Sequence, residues 1–65
     1  MIDRFTIAVQ RKLREDMDAY ANKIASGSCK TFEEYKFACG VIQGLTFAKG
    51  HLLDLAKLVE EDADE

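Results

Sequence analysis

Few residues in this chain are of types that do chemistry: His51, the thiols Cys29 and Cys39, and the carboxylate pairs Glu33-Glu34 and Glu60-Glu61. A zinc site needs several Cys or His ligands converging on one point. The only histidine has no cysteine near it in the sequence. No nucleophile is spaced so that His51 would serve as its base. The carboxylate pairs fall at opposite ends of one expected helix, without the Glu-x-x-His step of di-iron sites. The residues therefore specify no catalytic, metal or cofactor site, and the chain reads as non-enzymatic. Cys29 falls in an expected turn and Cys39 about two turns into the next helix, too far apart to bridge. Reduced thiols are expected, Cys39 as a small core residue and Cys29 as an exposed thiol with no basic cluster to activate it.

The elements that carry these residues are clearer than their chemistry. Thr31-Phe32-Glu33-Glu34 is a capping box, with Glu34 spaced to bond back to the cap backbone. No proline follows it. Ala38, Val41, Leu45, Ala48, Leu52, Leu55 and Val59 then recur at alternating three- and four-residue steps. That is a heptad seam on one long helix of coiled-coil type over about 32–61. A second row, Tyr35, Cys39, Ile42, Leu53 and Ala56, runs beside it. Upstream, Asp3 is an N-cap for a helix over about 3–25. Its apolar stripe is Phe5, Val9, Leu13, Met17, Tyr20 and Ile24. Gly27 and its flanking serines, within a turn over 26–31, stop the first helix and reverse the chain. The expected fold is all-α: a single-domain antiparallel helical hairpin over residues 1–65, with a short helix 1, a long helix 2 and a frayed acidic tail at 62–65.

At about 1.5 Å per residue the second helix is roughly 45 Å long and the first roughly 33 Å, so the second overshoots by about two turns. Leu55, Leu58 and Val59 lie in the overshoot. The seam and the second row beside it together make an apolar arc wider than one partner helix hides. The arc calls for a bundle built from two hairpins or for docking on a larger protein. Gly40 and Gly44, one turn apart inside helix 2, each cost about 1 kcal/mol relative to alanine. What they permit is close approach, either by another helix or by a ring such as Phe5, Tyr20 or Phe47 from this chain or a copy of it. Gly50 marks a place where helix 2 would bend or split. The expected interface is thus Gly40, Gly44, Leu45, Leu52, Leu55, Leu58 and Val59.

The chain has 65 residues, 48% hydrophobic and 32% charged. That makes one small folded domain of a size that often needs a partner. No signal-type apolar run opens the chain, and no stretch approaches the roughly 18 apolar residues of a membrane span. A soluble, unexported protein with no membrane association is expected. Net charge is −3, but unevenly spread: residues 1–30 carry +2 and residues 31–65 carry −5. The acidic run from Glu60 to Glu65 sits at a helix C-terminus, where the macrodipole disfavours it, and an antiparallel return brings it near Arg4. Arg4, Arg11 and Arg14 share one side of helix 1 and are the residues that would touch phosphate. A pI near 5.0 and the adjacent Glu15 and Asp16 argue against nucleic acid as a partner.

The segment Thr31-Phe32-Glu33-Glu34-Tyr35-Lys36-Phe37-Ala38-Cys39-Gly40-Val41-Ile42-Gln43-Gly44-Leu45 resembles small proteins of tailed bacteriophages. Those proteins share a similar length, a short helix, a Gly-containing turn, an acidic-aromatic start, and a Gly-x-Ile-x-Gly-Leu run in a long helix. The likeness spans about residues 20–59; the basic helix 1 and the acidic tail lie outside it. It implies a virion component or assembly accessory in the host cytoplasm or the virion, partnered by itself or by a larger virion protein. It transfers no catalytic residue. The alternative is a small regulatory hairpin that binds nucleic acid or inhibits a host protein.

Overall fold

Helix α1 opens on an Asp3 cap. Its Oδ1 accepts from the Thr6 backbone N–H at 2.7 Å. This satisfies one of the donors that a helix start leaves unpaired. The computed structural model describes residues 3–63, with side chains described through residue 60. Within it α1 runs Arg4–Ala25 and α2 runs Phe32–Ala63. The two pack against each other as an antiparallel hairpin, and no strand occurs among the described residues.

Both helix ends at the turn are built by the residues expected to build them. Gly27 takes φ +77°, its N–H donates to the Ile24 carbonyl at 3.2 Å, and the Ser28 N–H donates to the Lys23 carbonyl at 3.1 Å. This is a Schellman stop, which needs a left-handed residue that only glycine supplies cheaply. Thr31 Oγ1 accepts from the Glu34 N–H at 3.1 Å, and the Glu34 carboxylate accepts from the Lys30 N–H at 2.6 Å. The reciprocal bond of the box thus reaches one residue beyond the cap, to Lys30 rather than Thr31.

At its far end α2 continues to Ala63, two residues past the expected stop at Glu61. The unfavourable macrodipole contribution is only about a few tenths of a kcal/mol per charge, and adding a residue to an existing helix gains a backbone bond. Of the tail expected to fray, Asp62 and Ala63 are helical, while Asp64 and Glu65 lie outside the described residues. The expected pairing of the tail with Arg4 depends largely on side chains that also lie outside them.

The line of contact between the helices differs from the heptad seam. On α2 the covered positions are Ala38, Cys39, Val41, Ile42, Leu45, Lys49, Leu52, Leu53, Ala56 and Glu60. Ala38, Lys49 and Glu60 are eleven residues apart, a period of about 3.67, close to that of a straight helix. A heptad drifts off such a line by about 20° per repeat. The drift carries Ala48 and Leu55 out to solvent. The same geometry moves the start of the α1 stripe. Thr6, not Phe5, lies five whole turns before Ile24. Thr6 is buried, at 6% exposure, and Phe5 is 73% exposed.

The interior this makes is thin. Ala38, 2% exposed, is the one buried hydrophobic side chain among the described residues. Near the turn the Tyr20 and Phe37 rings meet edge to face with centroids 6.2 Å apart, and the Lys23 ammonium sits 5.3 Å from the Tyr20 ring centre. The molecule measures 53 × 17 × 11 Å, with a radius of gyration of 15.2 Å. A compact domain of this length would have a radius of gyration of about 11 Å.

The Asp3 cap makes the hairpin's acid response predictable. The Thr6 side chain, and then the Thr6 backbone N–H, hold the Asp3 carboxyl below its ordinary value. A depressed folded-state value stabilises above the unfolded value, about 3.9, and that contribution is lost as pH falls through the lower folded one. The Thr6 amide proton, followed by NMR, should titrate with a midpoint below that unfolded value and go flat in Asp3→Asn, which caps without titrating. A midpoint at or above the unfolded value would refute the capping bond.

Candidate association face

Beside the line that meets α1, α2 carries a second exposed apolar stripe, whose residue nearest the turn, Phe37, also meets Tyr20 of α1. Phe37, Phe47, Leu55, Leu58 and Val59 are between 53% and 66% exposed. That is far more than large apolar side chains show in a finished core. At about 100° per residue they fall on one side of α2 together with Gly40, Gly44, Ala48 and His51. The side is apolar from Phe37 to Val59 except for His51.

Of the residues expected to form an interface, Leu55, Leu58, Val59, Gly40 and Gly44 are together on this open side. Leu45 and Leu52 are half-buried, in line with Ala38 on the side that α1 covers. Direction and overshoot both contribute: Leu55 points away from the line of contact, while Val59 lies five whole turns past the half-buried Val41 and is exposed in the overshoot.

The glycines sharpen the picture. A methyl group built at Gly40 or Gly44 meets nothing within 4 Å, so the expected notch for a ring of the same chain is empty. Tyr20 packs on Phe37 instead, while Phe5 and Phe47 face outward. Gly50 is equally open, and α2 passes through it as one unbroken helix. The chain therefore carries three helix-weakening glycines with no close approach inside the hairpin to offset them.

Concavities among the described residues occur at the turn, beside Phe37, and on α1. One, of about 360 Å³, sits at the turn and is lined by Tyr20, Lys23, Cys29, Glu33, Glu34 and Phe37 among others. Cys29 is half-buried there, not exposed as its place in a turn suggests, and Cys39 is half-buried rather than core; both are free thiols. Cys39 lies one turn from Tyr35, and its hydrogen bond and then its charge raise the Tyr35 phenol above the ordinary value. The other, of about 280 Å³, is shallow and brings Arg11 and Arg14 together with Ile7 and Gln10 on α1; Arg4 is not in it. Among the described residues no group of His, Cys, Asp and Glu is arranged to hold a metal ion, and no helix is long and apolar enough to cross a membrane.

The face on α2 was partly legible in sequence. Phe37 was missed because the heptad seam points to the covered side, and Phe47 was seen only as a ring that could fill the glycine notch. The signal that finds Phe37 is the same eleven-residue period. Phe37, Ala48 and Val59 repeat the spacing of Ala38, Lys49 and Glu60, rotated by one residue. Comparison with protein-family models, with curated proteins and with solved structures finds no match to this chain.

Proposed function

We propose that this chain is a non-enzymatic protein–protein interaction module that associates through the open face of α2. The observation that carries the reading is the exposed side from Phe37 to Val59, apolar but for His51, around two empty glycine positions. Surface area supports it. The chain exposes 5324 Å². A folded monomer of its mass, 7.3 kDa, exposes about 4,200 Å². The excess is roughly 1,100 Å², and each partner in a standard interface buries about 800 Å².

Within that reading, the likeness of residues 20–59 to small tailed-phage proteins supports a role as a virion structural component or assembly accessory. Such a protein works in the host cytoplasm or the virion and meets a second copy or a larger virion protein. Light scattering on a sizing column across a range of concentrations tests the module. Wild-type chain is expected at twice 7.3 kDa or more, with the fraction associated rising with concentration. A monomer at every concentration would remove self-association from the reading.

A further inference from the structure

We propose that a second copy of this chain docks antiparallel on the α2 face, with the Phe47 ring of each copy seated between Gly40 and Gly44 of the other. This rests on the association reading above and commits it to one occupant and one register.

A two-fold interface must carry knob and hole on the same patch. Phe47 is a 61% exposed knob, and Gly40 and Gly44 are an empty hole one to two turns before it. Around the helix axis Phe47 is about 20° from Gly40 and about 60° from Gly44, so all three face one partner. Setting Phe47 opposite the midpoint of the two glycines puts the two-fold axis between Gly44 and Leu45. Leu55 then comes within about one turn of the second copy's Phe37.

Charge gives the same axis independently. Lys36 and Asp54 are both exposed. They are five whole turns apart, so they lie on one flank of the face. Their midpoint is residue 45, within half a residue of the axis set by Phe47. In an antiparallel pair the same flanks meet, so Lys36 of each copy lies across from Asp54 of the other, and opposite charges face each other twice. A parallel pair would set these flanks on opposite sides of the interface, where the charges do not meet, and would bring the two acidic C-terminal runs side by side. The area argues for a copy of this size, since the excess surface is about what one side of a stable dimer buries.

The test combines dissociation constants from sedimentation equilibrium with one distance. Gly44→Ala adds a methyl that the single hairpin accommodates freely, so helicity at concentrations where the chain is monomeric should rise while dimerisation weakens at least tenfold. Lys36→Asp and Asp54→Lys should each weaken the dimer several-fold, and the double exchange should restore it. Spin labels on Lys57→Cys, in a chain that also carries Cys29→Ser and Cys39→Ala, should lie about 40 Å apart; a parallel pair would give about 20 Å. A wild-type chain that stays monomeric overturns self-association and this register with it. A dimer that is indifferent to Gly44→Ala, shows no rescue by the double exchange, or gives the short distance overturns the register alone and leaves the association reading standing.

Discussion

Leu55→Glu is expected to leave a helical hairpin that no longer associates. Leu55 is 60% exposed in the single chain and lies off the line that meets α1. The substitution should therefore change hairpin stability by no more than about 0.5 kcal/mol. In an associated form the same side chain is covered. Burying a leucine is worth about 1.5–3 kcal/mol, and in a symmetric pair the loss occurs twice, together with the cost of burying a carboxylate. Dissociation should rise by at least two to three orders of magnitude. Far-ultraviolet circular dichroism should show near wild-type helix content while light scattering shows monomer. Normal association of Leu55→Glu would mean that the open face of α2 is not the surface used. Val41→Glu serves as the contrast, because Val41 is half-buried on the side that meets α1 and its replacement should disturb the hairpin itself.

Gly27→Val should open the hairpin at its turn. Gly27 has φ +77°. That conformation costs an ordinary residue about 1–2 kcal/mol and a β-branched one more. The Schellman bonds to Ile24 and Lys23 depend on it, and with them the direction in which the chain leaves α1. A loss of about 2 kcal/mol is large for a fold with so little interior. It should show as reduced helix content and loss of the Tyr20–Phe37 ring contact in nuclear Overhauser spectra. Gly27→Asn should keep most of the contact, since asparagine tolerates this backbone. Gly50→Ala has the opposite sign. Gly50 is helical, with open space around it, and alanine there should stabilise by about 1 kcal/mol. Equal effects at the two glycines would refute the assignment of Gly27 as the turn's hinge.

These residues also mark what could be read from the sequence. The capping box at Thr31, the cap at Asp3 and the stop at Gly27 act through bonds within a few residues of themselves. Local chemistry therefore located both helices to within two residues and produced the hairpin. Which side of α2 meets α1 depends on the helical period summed over twenty residues or more. There, reading a period of about 3.5 in place of about 3.67 ran the seam through Ala48 and Leu55, which the packed helices leave exposed, and overlooked Phe37. The empty glycine sites were out of reach for a related reason. A glycine in a sequence leaves room for close approach, but only the packed helices reveal that nothing in this chain takes it.

That Ala38 is the one sealed apolar side chain among the described residues has a consequence for how the protein exists in a cell. A hairpin with so small an interior draws little of its folding free energy from itself, so the pairing proposed above would link folding to association by mass action. Its thermal midpoint should climb with the logarithm of chain concentration instead of being a fixed property of the molecule. At low expression most chains would open often enough for proteases to clear them. In the proposed pair each chain would protect the other, so that accumulation would rise more steeply than synthesis.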